Sequence, residues 1–251
     1  MLIDELMIYL FDGQVHLLAE PMATWLASSR RFTAFVTTFR AKIRKKLRLT
    51  QEQENLLDLR LELETAYLLL QERSLSLEYE PQGGRQARCP DFAVTFTTSV
   101  VFMVEVTRLR SAQNRTVPRP QGHTLALLAP SRTLQNERLA DTICSKLGQL
   151  LPQHANVLLV GVESPGITHN DLRAIMHTIQ QGAERNDTAV VQRHHFRDRA
   201  DFFQHYQRLS ELLVRGPQIQ AGEPVSVWVN PQAKYPLPSK VRTALYHSHS
   251  V

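Results

Sequence analysis

The stretch Cys89-Pro90-Asp91-Phe92-Ala93-Val94-Thr95-Phe96, then Thr97-Thr98-Ser99, then Val100 through Thr107, constrains this chain more than any other. Two runs of β-branched and aromatic residues joined by a short polar turn read as a β-hairpin. Side chains alternate along a strand, so Asp91, Ala93 and Thr95 share one face, and Glu105 and Thr107 share one. With the turn centred on Thr98, Asp91 falls directly across from Glu105. The Cβ atoms of such a pair lie about 5 Å apart, and like charges there destabilise the sheet. Either both carboxylates point to water at a sheet edge, or a divalent cation held between them offsets the repulsion.

Read as Pro90-Asp91, a spacer, then Glu105-Val106-Thr107, the hairpin resembles the PD-(D/E)XK nuclease superfamily, whose members hold magnesium between such an Asp and Glu. The setting agrees: a long helix precedes the hairpin, and a helix and an apolar strand follow it. That is the αβββαβ order of the superfamily core, over about residues 52–162. The remainder, with Trp228-Val229-Asn230-Pro231-Gln232-Ala233, is similar to a bacterial branch with Glu-x-Thr in place of Glu-x-Lys, from which no activity carries over.

The resemblance implies an α/β fold with a central mixed sheet flanked by helices, residues 50–251 forming that domain and residues 1–49 a helical extension. It implies Mg2+ or Mn2+ as cofactor and nucleic acid, DNA foremost, as partner. Asp91 and Glu105 would be metal ligands. A Glu of the preceding helix often faces such a site; Glu62 is the matching position and Glu64 the second, unless both are surface acids pairing with Arg60 or Arg73.

The third strand residue of that superfamily is a Lys, and here it is Thr107, whose hydroxyl cannot supply the cation. Arg108 follows but lies on the opposite strand face. In some members the Lys has moved to the next helix, and Ser145-Lys146-Leu147-Gly148-Gln149 is similar to that arrangement. Lys146 and Gln149, three apart, share one side of a helix. A Lys near a helix C-terminus also suits the macrodipole.

The 251 residues, 43% hydrophobic and 21% charged, have ordinary globular composition for one domain with additions. A net charge of +5 and a pI near 9.4 fit an acidic partner, and also fit many proteins that never touch nucleic acid. Cys89 and Cys144 match no metal or redox spacing and read as buried small hydrophobes in a reducing cytoplasm. Met1-Leu2-Ile3-Asp4-Glu5 carries acid where a signal peptide needs base, and no apolar run spans a membrane, so a cytoplasmic protein without a membrane partner is expected.

Along the chain, residues 1–48 read as helices, with Phe32, Phe35, Val36 and Phe39 in one apolar stripe. Arg40, Lys42, Arg44, Lys45, Lys46 and Arg48 crowd the end of that stretch, either matching the helix dipole or contacting nucleic-acid phosphates. Thr50 and Gln53 suggest a capping box opening a helix that runs to about Gln71. A strand is expected over Leu75–Tyr79, and a turn at Pro81-Gln82-Gly83-Gly84. Arg108, Arg110, Arg115 and Arg119 sit in an irregular loop reaching Gly122, where they would grip phosphates or remain solvated. A helix over 134–151, buried through Leu139, Ile143, Leu147 and Leu150, ends at Pro152. Val157–Val160 reads as a strand covered on both faces. A helix over 170–185, strands over 209–215 and 225–229, and a short helix over 239–246 complete the chain. His194 and His195 read as surface residues without metal-ligand partners.

Two functions follow from different classes: a magnesium-dependent nuclease, favoured by the Asp91 and Glu105 pair, and a non-catalytic module of the same fold binding nucleic acid or protein, favoured by Thr107.

Overall fold

A computed structural model describes residues 2–50, 52–81, 89–110, 132–163, 167–185, 191, 193–216 and 225–249. In chain order their elements are α1 (Ile3–Phe11), α2 (Ala19–Ser28), α3 (Arg30–Leu49), α4 (Gln53–Leu69), β1 (Leu75–Tyr79), β2 (Phe92–Phe96) and β3 (Val100–Leu109). They continue with α5 (Arg132–Leu147), β4 (Ala155–Val162), α6 (His169–Glu184), α7 (Arg199–Tyr206), β5 (Leu209–Arg215), β6 (Ser226–Val229) and α8 (Ser239–Ser248). From α4 to β4 the order is αβββαβ.

The strands form one six-stranded mixed sheet in sequence order, flanked by helices in an α/β fold. The first three strands meander antiparallel, as short turns permit. β3, β4 and β5 run parallel, and β6 closes the edge antiparallel to β5. Each parallel step needs a crossover, and α5 lies in the first of them while α6 and α7 lie in the second.

Two cores cover the two faces. Val104, Val157, Leu159 and Leu213 pack with Phe35 and Val36 of α3, Leu63 of α4 and Leu245 of α8. Leu109, Leu158, Val160 and Leu212 pack with Ile143 and Leu147 of α5, Ile175 of α6 and Phe202 of α7. Coverage on both sides explains the unbroken apolar run of β4, since neither alternating set of side chains meets water. The N-terminal helices share the first core. Arg31 of α3 donates to the carbonyls of Leu70 and Glu72, both at 2.7 Å, and so ties α3 to the α4–β1 connection.

Some local expectations are corrected. Thr50 opens no capping box; it terminates α3, its N–H donating to the Lys46 carbonyl, because α3 continues to seat Leu47 in the core. α4 starts at Gln53 after Glu52, which provides no side-chain cap. Cys89 is exposed, its Sγ on the Pro81 carbonyl, whereas Cys144 is buried and its thiol is pushed up to about 12 by burial first and Asp141 second. His194 sits half-buried with Nε2 3.3 Å from Asp141 Oδ1. The turn at residues 82–84 lies outside the described residues. Among the described residues no helix is long and apolar enough to cross a membrane.

His249, just after α8, is buried with neither ring nitrogen hydrogen-bonded. Burial first and Arg215 second push its pKa down to about 3. An imidazole in the unfolded chain protonates near pH 6.5. Between these values the unfolded chain takes a proton that the folded one refuses. This contribution to stability is therefore full above about pH 6.5 and falls as pH drops toward 3, by about 1.4 kcal/mol per pH unit. His249→Leu is expected to flatten the fall in urea midpoint between pH 6.5 and 4; an unchanged slope would contradict the assignment.

Candidate functional site

The hairpin register sets Phe92 against Val104 and Phe96 against Val100. Continued by one residue, it places Asp91 across from Glu105. Asp91 does not extend the ladder. The chain bends there, and Asp91 Oδ2 accepts a 2.7 Å hydrogen bond from the Val106 N–H, in the place a strand neighbour would occupy.

Acids reach this point from both sides of the sheet. Glu105 lies on the α5 face, where its Oε1 accepts from Lys146 Nζ at 2.8 Å. Lys146 also donates to Gln149 Oε1 at 3.0 Å, so both residues of that helix end meet beside Glu105. From the other face Glu62 of α4 comes in, accepting from Lys46 Nζ at 2.6 Å. The same ammonium lies 2.7 Å from Glu80 Oε1. Glu64, two residues from Glu62, is on the far side of α4 and pairs with Arg215 at 2.7 Å.

The electrostatics follow from this crowding. Burial first, then Glu62 and Glu105, raise the Asp91 pKa well above the usual carboxylate range; the Val106 N–H and Lys46 oppose this only in part. Glu62 is also raised, by burial, against the pull of Lys46. Lys46 stays above its ordinary value although burial acts to lower it, because Glu62 and Glu80 outweigh burial. The buried Tyr79 hydroxyl forms no well-made hydrogen bond although it lies close to Glu62, and burial and that carboxylate both raise its pKa. Four acids, Asp91, Glu62, Glu80 and Glu105, thus gather here with two lysines, Lys46 and Lys146.

Among the described residues no group of three or more His, Cys, Asp or Glu side chains is arranged to hold a metal ion. Glu62, expected as a third ligand, is instead turned to Lys46. Magnesium commonly takes one or two carboxylates and keeps several waters, and the hard oxygen donors at this point are those of Asp91 and Glu105. A cation beside Asp91 would favour its charged form against burial, Glu62 and Glu105, which oppose it.

The basic residues expected to grip phosphates are largely committed elsewhere. Lys42 donates to the carbonyls of Tyr79 at 2.9 Å and Glu80 at 3.0 Å. Arg48 pairs with Asp12 at 2.8 Å, and Arg44 pairs with the same carboxylate. Arg110 bonds Asn55 at 2.8 Å and Asp58. Lys45 is exposed. Arg115 and Arg119 lie outside the described residues.

Arg108 is engaged within the fold. Strand alternation turns it to the α4 face, away from Glu105, where Glu54, Asp58 and Glu163 enclose it and its side chain is only 7% exposed. It ties β3 to α4. Removing one partner of a buried ion network costs about 3–5 kcal/mol, and the partly exposed acids argue for the lower end. Arg108→Met is therefore expected to lower the urea midpoint by about 3 kcal/mol equivalent while leaving unchanged the salt dependence of any nucleic-acid binding. A shallower salt slope at unaltered stability would restore the phosphate role.

Sequence reasoning missed Glu80, and it assigned Lys46 to nucleic acid rather than to the acids. A signal for Glu80 existed. Tyr79 pairs with Phe92, so one more step brings Glu80 beside Asp91, and the Glu80 N–H donates to the Asp91 carbonyl at 2.8 Å. No family model matches this chain, and neither a curated protein nor a solved structure matches it.

Proposed function

We propose that this protein is a metal-dependent hydrolase of phosphodiester bonds in nucleic acid, with DNA the foremost substrate, built on a PD-(D/E)XK-like core. The observation that carries the reading is the meeting of Lys146, from the helix after the hairpin, with Glu105 at 2.8 Å, beside the charge-strained Asp91. A cation arriving from α5 compensates for Thr107, and the αβββαβ order supports the same reading.

In this reading Asp91 and Glu105 hold Mg2+ or Mn2+, which when bound activates water and neutralises developing phosphate charge. The Val106 N–H fixes the Asp91 carboxylate so that its other oxygen can face the ligand. Gln149 steers the Lys146 ammonium toward Glu105, placing positive charge near the attacking water and the scissile phosphate. Glu62 shapes the field on Asp91 from the opposite side.

A second reading, a non-catalytic module of this fold, is favoured by Thr107 and by the lack of a three-acid group among the described residues. The two separate in one assay. Single-stranded DNA, duplex DNA and RNA are incubated with the protein in Mg2+, Mn2+ or EDTA, alongside Asp91→Asn. Cleavage that needs the ion and disappears in the variant supports the hydrolase; binding without cleavage across the whole panel supports the module.

A further inference from the structure

We infer that the Lys46 ammonium fills the place of a second metal ion, so that the site takes a single divalent cation, between Asp91 and Glu105. The inference rests on the hydrolase reading and defines how that site is charged. Lys46 Nζ lies 2.6 Å from Glu62 Oε1 and 2.7 Å from Glu80 Oε1, so two carboxylates converge on one point. Two-metal sites hold their ions about 3.5–4 Å apart, and Glu80, whose N–H donates to the Asp91 carbonyl at 2.8 Å, sets this point next to Asp91.

The ammonium is anchored rather than visiting. The Tyr79 ring lies 4.9 Å from Nζ, and α3 fixes the lysine stem through its buried neighbours Ile43 and Leu47. Two of its three donors are used on the glutamates. An ammonium screens charge but cannot coordinate water, so the nucleophile belongs on the side of the single ion, next to Lys146. This gives the N-terminal helices a part in the site, since α3 delivers the cation.

The test is Mg2+ stoichiometry by calorimetry on the full chain, comparing wild type with Lys46→Met, together with the shift in melting temperature caused by Mg2+. The expected result is one ion per chain in wild type, two in the variant, and a larger Mg2+-induced melting shift in the variant. Two ions in wild type, or one ion of unchanged affinity in a folded Lys46→Met, would overturn the inference and leave the hydrolase reading intact. A variant unfolded even in saturating Mg2+ would also overturn it, since an ion could not then replace the ammonium. No binding to wild type would instead overturn the hydrolase reading itself.

Discussion

Asp91→Asn is expected to abolish metal-dependent cleavage while leaving a protein at least as stable as the wild type in metal-free buffer. The amide keeps an oxygen to accept the 2.7 Å bond from the Val106 N–H, so the bend at the start of β2 survives. What disappears is a charge that burial, Glu62 and Glu105 all disfavour. Relief of like-charge repulsion across a strand pair is worth up to about 1 kcal/mol. The same change removes one of the two ligands proposed for the ion, and a bound metal supplies several kcal/mol of transition-state stabilisation. Turnover should therefore fall on the order of a thousand-fold or more. Cleavage rate and thermal unfolding read the two halves separately. A variant that loses both activity and fold would mean that Asp91 is structural.

Lys146→Ala is expected to separate charge from ligation. Its ammonium serves Glu105 and Gln149, and neither contact is a metal bond. Removing it leaves Asp91 and Glu105 in place, so Mg2+ affinity should hold or rise, because Glu105 no longer shares its oxygen with a cation. Turnover should fall about 10²- to 10³-fold, the usual loss when one preorganised positive group near developing charge is deleted. Undiminished cleavage would reduce Lys146 to a surface-pairing residue and return the missing strand cation at Thr107 to an open problem for catalysis. A parallel loss of Mg2+ affinity would make Lys146 a support for Glu105 instead.

The order of elements was legible because it depends on local pattern. The alternating run Leu75–Tyr79 and the apolar run Leu209–Arg215 became β1 and β5 with those bounds. The symmetric spacing around Thr98 set the β2–β3 register that brings Asp91 to Glu105. Where competing local signals met, packing decided: Thr50 resembles an N-cap, but α3 runs on through the buried Leu47 to Leu49 and makes Thr50 its C-cap. α7 went unread although Asp198 and Asp201 carried a cap, the Asp198 side chain accepting from the Asp201 N–H at 2.8 Å.

The site was legible only where its members belong to one hairpin or one helix turn. Lys46 sits in a basic run that resembles a solvated or phosphate-binding helix end, and the local pattern tells only that it lies on the side of the apolar stripe, seven residues after Phe39, where Lys45 does not. Its destination depends on how α3 crosses β1, a contact between residues far apart in sequence, which brings Lys46 onto Glu62 and Glu80 and leaves Lys45 exposed. Arg108 shows the same limit. Alternation told which way it points, but not that Glu54, Asp58 and Glu163 would be there to receive it.

The central claim is that Asp91 and Glu105 together hold one hard divalent cation. It is tested most directly, without any assumption about substrate, by titrating Mn2+ into the protein and following the free-ion electron paramagnetic resonance signal. The account predicts that wild type removes one Mn2+ per chain from the free signal, that excess Mg2+ returns it, and that Asp91→Asn removes none over the same range. Equal uptake by wild type and Asp91→Asn, or no uptake by wild type, would contradict it.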